Sequence, residues 1–189
     1  KNNETNNNKI KILDIEINFI KNTNSKDENV LFIHGFGGDL NNWMFNQDDL
    51  ANNFNTFAID LPGHGMSTKK IVDSSLDGFA NLISSFCEKN NLDKVNLVGH
   101  SLGGGISIKT AFKKKELIKS LTLISPIGLG DEIDSDYIDN FISSETRKEI
   151  KKEIEKLYFN SEIITRDMLN EILKFLRIDN VKDTLKIIK

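Results

Sequence analysis

The 189-residue sequence is poor in cysteine, in histidine and in long apolar segments. Its single cysteine, Cys87, excludes an internal disulfide. No apolar stretch approaches the roughly 20 residues of a membrane-spanning helix, and the first residues are polar, so neither a membrane partner nor a signal peptide is expected. The formal net charge is −3 at pH 7, so the sequence lacks the basic footprint of a nucleic-acid partner. These absences favour a cytoplasmic domain with one core.

Only three histidines are present, His34, His64 and His100. None of them has the spacing of a metal ligand to another histidine, cysteine or carboxylate pair, so no metal site is predicted. Each histidine stands in a turn motif, and we interpret His34 as a side chain held by backbone partners at the end of a strand rather than as a catalytic residue. The same interpretation applies to His64 and His100. No tightly bound cofactor is predicted.

One motif stands where a strand and a helix are expected to meet. The residues Gly99-His100-Ser101-Leu102-Gly103 follow the apolar run Val95–Val98 and precede a segment that can be helical. In a G-x-S-x-G nucleophile elbow the serine backbone is strained and its hydroxyl projects over the sheet, with glycines at both flanks because side chains would collide there. The pattern predicts Ser101 as a nucleophile. The alternative is a glycine-rich loop with an incidental serine.

A second motif follows a strand further upstream. The continuously apolar run Val30–Ile33 predicts a buried strand of a parallel sheet, and it ends in His34-Gly35-Phe36-Gly37-Gly38. An acyl-transfer enzyme needs two N–H donors for the developing oxyanion, one after the nucleophile and one from this loop. We therefore predict the N–H groups of Leu102 and Phe36 as the oxyanion hole. His34, Gly35 and His100 are assigned to the surrounding binding region.

Two further residue groups have simpler interpretations. Cys87 shares an apolar helical face with neighbouring side chains, so we expect a core residue rather than a nucleophile. The basic run at residues 113–115 falls where a helix should end, where cations complement the helix dipole. This placement favours a solvated helix terminus over a phosphate site for coenzyme A.

The order of the predicted elements is that of a doubly wound, mostly parallel α/β sheet. Residues 9–20 should form one or two antiparallel edge strands. From residue 134 only helices are predicted, so we divide the chain into a linker or tail (1–9), an α/β core (10–132) and a helical cap region (133–189). Parallel strands are predicted at 30–33, 55–59, 95–98 and 121–124, and helices at 42–51, 75–89, 102–114, 136–142, 144–158, 165–176 and from 180 onward.

Several segments resemble one known family. Residues 60–67 (DLPGHGMS) look like the turn after the fourth strand of α/β-hydrolases. Four more segments, which include the cap region, resemble the hydrolase-like catalytic domain of the dihydrolipoyllysine acetyltransferase component of the acetoin dehydrogenase complex. They are residues 34–43 (HGFGGDLNNW), 123–133 (LISPIGLGDEI), 136–142 (DYIDNFI) and 164–185 (ITRDMLNEILKFLRIDNVKDTL).

The resemblance implies a function as well as a fold. The fold would be an α/β-hydrolase with a helical cap, of which this chain lacks the C-terminal strands. Coenzyme A and lipoyl-lysine would be co-substrates, with an acetyl group passing from dihydrolipoyl-lysine to coenzyme A. It also implies an upstream lipoyl-bearing domain and, as partners, other subunits of a complex of the 2-oxo-acid dehydrogenase type.

The catalytic set is incomplete in this sequence. In this fold the acid and the histidine follow the serine, yet no histidine follows His100. We expect both to lie beyond Lys189 and the 189 residues alone to be inactive. Asp131 could be an early acid but is interpreted as a solvated loop residue. Two alternatives remain, a general hydrolase of small-molecule esters, thioesters or C–C bonds, and a non-catalytic binding or scaffold domain.

Overall fold

The computed structural model describes residues 7–23, 26–71, 73–130 and 133–188. The chain divides into two compact units, residues 1–130 and residues 131–189. Asp131 and most of the predicted N-terminal tail lie outside the described residues. None of the described helices combines the length and apolar character needed to cross a bilayer.

The first unit is built on a sheet of six strands in the order β1-β2-β4-β3-β5-β6. The first two strands form the predicted antiparallel edge, β2 is antiparallel to β4, and the other pairs are parallel. Strand β1 begins at Asn8, so the predicted tail is wrong at residues 8 and 9, which already pair with β2. The strands are β1 (Asn8–Ile12), β2 (Ile15–Asn22), β3 (Asn29–Ile33), β4 (Asn55–Ile59), β5 (Val95–His100) and β6 (Ile118–Ile124).

Strand β5 is two residues longer than its apolar run predicts. Its parallel pairing with β6 continues through Gly99, opposite Leu123, and His100, opposite Ile124. The ladder persists because parallel pairing needs backbone groups rather than apolar side chains. The helix that carries the rest of the motif therefore starts directly after Ser101.

Three α-helices accompany the sheet, α1 (Met44–Leu50), α2 (Leu76–Lys89) and α3 (Leu102–Lys113), with a 3-10 turn at Leu40–Trp43 before α1. Cys87 on α2 is fully buried, and burial raises the pKa of its thiol to about 12, in agreement with a core role. At the end of α3, the Nζ of Lys113 lies 2.9 Å from the carboxylate of Asp77 on α2.

Within its described residues, the regular secondary structure of the second unit consists of helices and 3-10 turns. Its helices are α4 (Ser135–Ser143), α5 (Arg147–Ile154), α6 (Arg166–Leu176) and α7 (Val181–Ile188), with 3-10 turns at Glu155–Leu157 and Ser161–Ile163. The prediction of one helix over residues 144–158 is wrong at both ends. Thr146 and Glu149 form a capping box that starts α5 at Arg147, and the last turns change to 3-10 geometry. Apolar side chains from all four helices form its core, among them Phe141, Ile150, Leu173 and Leu185.

Candidate active site

Ser101 occupies the sharp turn between β5 and α3. Its backbone has φ 50° and ψ −116°, a positive φ that few residues with side chains adopt. The conformation is fixed on both sides, because the Ser101 N–H donates to Ile124 O at 3.0 Å and the Ser101 carbonyl accepts from the N–H groups of Gly104 and Ile127. The strained elbow conformation predicted from the motif is present.

Glycines allow this turn to pack closely. A Cβ on Gly103 would collide with the carbonyl oxygen of Ile33 and would lie 2.5 Å from that of His34, so α3 begins directly against the end of β3. A Cβ on Gly99 would lie 2.5 Å from the Oγ of Ser107. Real Cβ atoms do not come this close, so both flanks of the motif require glycine, as predicted.

The loop after β3 lies beside the elbow. A Cβ on Gly35 would be 3.1 Å from the Cβ of Ser101 and 3.0 Å from Nδ1 of His100. The loop then turns, with the Gly38 N–H donating to Gly35 O at 3.1 Å and Gly37 at φ 71°. We call residues 34–38 the β3 loop; its backbone is in van der Waals range of the candidate nucleophile.

The two predicted oxyanion donors are on the segments that meet here. Phe36 follows Gly35 in the β3 loop and is partly buried, and Leu102 is the first residue of α3. Backbone N–H groups in the first turn of a helix have no partner within the helix and carry its positive dipole end. A negative charge that develops next to Ser101 would be near this end of α3.

His34 is fully buried and its ring is bonded on both sides by backbone groups. Its Nε2 accepts the N–H of Leu61 at 3.0 Å, so Nδ1 carries the proton and donates to Gly35 O at 2.7 Å. Burial is the main cause that lowers the pKa of His34. The interpretation of a histidine held by backbone partners agrees with this geometry, and neither ring nitrogen is free to act as a base for Ser101.

His64 is bonded in the same way, although it comes from the turn after β4. Its Nε2 accepts the N–H of Gly37 at 3.0 Å and its Nδ1 donates to Pro62 O at 3.1 Å. Burial, with a smaller contribution from His34, lowers the pKa of His64 to about 3. His64 therefore belongs to the same neutral network and is also unavailable as a base.

Asp60 is a further buried polar residue of the turn after β4, and it was not singled out from the sequence. It is 1% exposed and accepts three hydrogen bonds, from the N–H groups of Leu40 at 2.8 Å and Met66 at 2.7 Å and from the side-chain amide of Asn18 at 2.7 Å. Its position at the start of the residue 60–67 motif was the only signal in the sequence. With both oxygens occupied, Asp60 supports the turn rather than a catalytic histidine.

His100 is the remaining histidine. It is exposed at the end of β5, and partial desolvation lowers its pKa. Within the four described ranges no hydrogen bond to its ring is found, so the interpretation of a histidine held by backbone partners does not hold for His100. Among the same residues no group of three or more His, Cys, Asp or Glu side chains could bind a metal ion. The described residues thus bring together the elbow, the β3 loop and three histidines without a paired base for Ser101.

The family follows from comparison with known proteins. Residues 28–163 match the family model of the alpha/beta hydrolase fold, which is more than half of the chain. The chain therefore belongs to the α/β-hydrolase family.

Two curated relatives have the same function and come from different bacteria. The chain is similar to the dihydrolipoyllysine-residue acetyltransferase component of the acetoin cleaving system of Cupriavidus necator, with 39% identity over 158 residues, 84% of this chain and 42% of the relative. The corresponding component of Pseudomonas putida is 36% identical over 157 residues, 83% of this chain and 42% of the relative. The chain thus spans less than half the length of these relatives. These matches confirm the resemblance that the sequence motifs indicated.

Solved structures confirm the fold. A meta-cleavage product hydrolase from Pseudomonas fluorescens superposes with a TM-score of 0.86 at 16% identity, over 95% of this chain and 67% of the other. A serine hydrolase from Cycloclasticus zankles gives 0.85 at 18% identity, over 97% and 69%. At such identities the likeness establishes the α/β-hydrolase fold alone.

Proposed function

We propose that this chain is the hydrolase-like part of a serine acyltransferase that passes an acetyl group from dihydrolipoyl-lysine to coenzyme A. The observation that carries the acyl-enzyme half is the backbone of Ser101, held at φ 50° between a strand and a helix with the β3 loop against it. The 39% identity to an acetyltransferase component supports the choice of substrates.

The reaction would proceed in two balanced steps. The Ser101 hydroxyl loses its proton to a base and attacks the thioester carbonyl, and the C–S bond breaks to release the dihydrolipoyl thiol, which takes up the proton. The coenzyme A thiol then attacks the acetyl-serine, forms acetyl-coenzyme A and returns the proton to Ser101. Splitting the transfer in this way is the usual advantage of covalent catalysis.

The oxyanion of each step would be stabilised by the N–H groups of Phe36 and Leu102. Preorganised donors of this kind are typically the largest single catalytic contribution, worth roughly 10²–10³ in kcat for each donor. His34, Gly35 and His100 would line this region. The position of Leu102 at the positive end of α3 supports its part in the proposal.

The base would come from residues outside this sequence, together with the acid that orients it. Both ring nitrogens of His34 and of His64 already have backbone partners, which supports this part of the proposal. Other subunits of an acetoin-cleaving complex are proposed as partners on the same relatives. A cytoplasmic location is proposed on the composition of the sequence alone.

The acceptor is tested by product analysis on the full-length protein. Acetyl-dihydrolipoamide is supplied with and without coenzyme A, and acetyl-coenzyme A and free acetate are quantified. A transferase forms acetyl-coenzyme A as the main product at saturating coenzyme A. Water at about 55 M competes, so a thiol prevails only through positioning, which can be worth roughly 7–11 kcal/mol. Acetate as the main product at saturating coenzyme A would contradict the transferase.

A general hydrolase is the second candidate, since the fold is shared with hydrolases of unrelated substrates. The same experiment separates the two, because a hydrolase releases acetate at a rate that coenzyme A does not change.

A further inference from the structure

Two histidine side chains connect the turn after β4 to the β3 loop: His34 accepts the N–H of Leu61 at the start of the loop, and His64 reaches the apex of the loop. The turn spans residues 60–69, and we call it the β4 turn. The N–H of Gly37 in the β3 loop donates to Nε2 of His64 in the β4 turn at 3.0 Å. The rings of His64 and Phe36 also meet edge to face, with centroids 6.2 Å apart. His64 thus contacts the two residues at the apex of the β3 loop.

The hydrogen bond between Gly37 and His64 requires a neutral His64 that accepts the proton of the Gly37 N–H. Because Gly37 donates, Nε2 must be unprotonated, and the ring proton must be on Nδ1, where it bonds to Pro62 O at 3.1 Å. A charged ring would carry a proton at both nitrogens and would turn its acceptor into a donor that faces the Gly37 N–H. Complete burial beside the ring of His34 keeps the neutral form.

The β4 turn is itself rigidly supported. The Nζ of Lys69 donates to the carbonyl oxygens of Ser67 at 2.9 Å and His64 at 3.2 Å, and also to that of Gly65. Asp60 accepts the N–H of Met66 at 2.7 Å from the other side. The backbone that carries His64 is therefore held in place, and so is the ring that bonds to the β3 loop.

We propose that His64 is a positioning residue that fixes the β3 loop by accepting the Gly37 N–H, so that the Phe36 N–H is presented at a constant place beside Ser101. This inference rests on the proposed function, in which Phe36 is an oxyanion donor. It adds a role for the β4 turn, whose bond to Gly37 acts on Ser101 through the β3 loop.

Two substitutions test the bond to Gly37. His64→Gln keeps an acceptor close to the position of Nε2 and loses the donor to Pro62. His64→Asn keeps a donor close to the position of Nδ1 and loses the acceptor for Gly37. Both remove an aromatic ring from the same buried site, but Asn is one methylene smaller than Gln, so the spectroscopic measurement below is needed to separate the bond to Gly37 from packing.

The reaction test uses phosphonylation of Ser101 by a serine-directed fluorophosphonate in the full-length protein, together with kcat and KM for p-nitrophenyl acetate. His64→Asn is expected to lower the phosphonylation rate and kcat about 10- to 100-fold with KM within about threefold, because a misplaced oxyanion donor acts on the transition state. His64→Gln is expected to stay within about fivefold of the unsubstituted protein. Equal losses in both variants, or no loss in either, would overturn the inference.

A spectroscopic measurement decides the matter without activity or mutation. In the ¹⁵N-labelled full-length protein, Nε2 of His64 should show the shift of an unprotonated nitrogen, and the Gly37 amide hydrogen should exchange slowly. A protonated Nε2 or a rapidly exchanging Gly37 amide would contradict the positioning role. An unsubstituted protein that resists phosphonylation while both NMR signals are as expected would contradict the proposed function and leave the Gly37–His64 bond established.

Discussion

The elbow is shaped by one means, and the β3 loop beside it and the β4 turn bonded to that loop are shaped by the opposite one. The elbow depends on the absence of side chains, since a Cβ on Gly99 or Gly103 would strike backbone or a neighbouring hydroxyl. The β3 loop and the β4 turn depend on buried polar side chains, His34, Asp60 and His64, each bonded to backbone groups. In the elbow, a Cβ on either glycine would collide with its neighbours. In the β3 loop and the β4 turn, a second proton on His34 or His64 would remove the nitrogen that accepts a backbone N–H.

A graded glycine series should give the largest effect on the elbow side. Gly103→Ala places a Cβ against the backbone carbonyls of Ile33 and His34, which cannot move without disturbing β3. We expect a loss of roughly 3 kcal/mol or more in the free energy of unfolding. Gly105→Ala meets mainly the side chain of Ile127, at 2.5 Å, and should cost about 1 kcal/mol because that side chain can shift. Urea denaturation measures both.

Gly130 supplies the control, since no described atom other than those of the glycine and its chain neighbours lies within 4 Å of a Cβ built there. Gly130→Ala should change the free energy of unfolding by no more than about 0.5 kcal/mol. If Gly103→Ala were as mild as this control, the close approach of α3 to β3 would be wrong.

Acid should produce a smaller effect, on the polar side. Burial lowers the pKa of both His34 and His64, the latter to about 3, below the value of about 6.5 expected in the unfolded chain. As pH falls below about 6.5, these histidines bind protons in the unfolded chain more readily than in the native state. The free energy of unfolding therefore has its full value above this pH and declines below it. His64 should remove about 1.4 kcal/mol per pH unit between about pH 6 and pH 5, and His34 should act in the same direction.

The variant His64→Gln removes the contribution of His64 to this pH dependence and leaves that of His34. Its free energy of unfolding should depend on pH less steeply over the same interval, by about 1.4 kcal/mol per pH unit below pH 6, measured by urea denaturation at about pH 7, 6 and 5. A slope equal to that of the unsubstituted protein would mean that His64 takes up its proton as readily in the native state as in the unfolded chain, against the bond from Gly37.

The sequence predicted the elbow well because its requirements are local. Positive φ at Ser101 and the close packing at Gly99 and Gly103 follow from a strand-turn-helix pattern within about ten residues, and the apolar runs located four parallel strands. The β3 loop was predicted from its glycines and its place after a strand. These features depend on steric rules that a short window of sequence already contains.

The polar network was not predictable to the same extent because its partners are far apart in sequence. The bond from Gly37 to His64 joins residues 27 positions apart, and Asn18 reaches Asp60 over 42 positions. Propensity also failed at residues 144–158, where the capping box at Thr146 starts a shorter helix. The long-range bonds are decided by tertiary partners, whereas the start of α5 is decided by a local cap that the apolar periodicity does not contain.

The central claim, that Ser101 is the nucleophile, is tested most directly by trapping the covalent enzyme. The full-length protein is treated with a serine-directed fluorophosphonate or with acetyl-dihydrolipoamide, and the modified residue is identified by peptide mass spectrometry. If Ser101 is the nucleophile, we expect modification of Ser101 alone, and loss of both modification and turnover in Ser101→Ala. Modification at another residue, or normal turnover by Ser101→Ala, would contradict it.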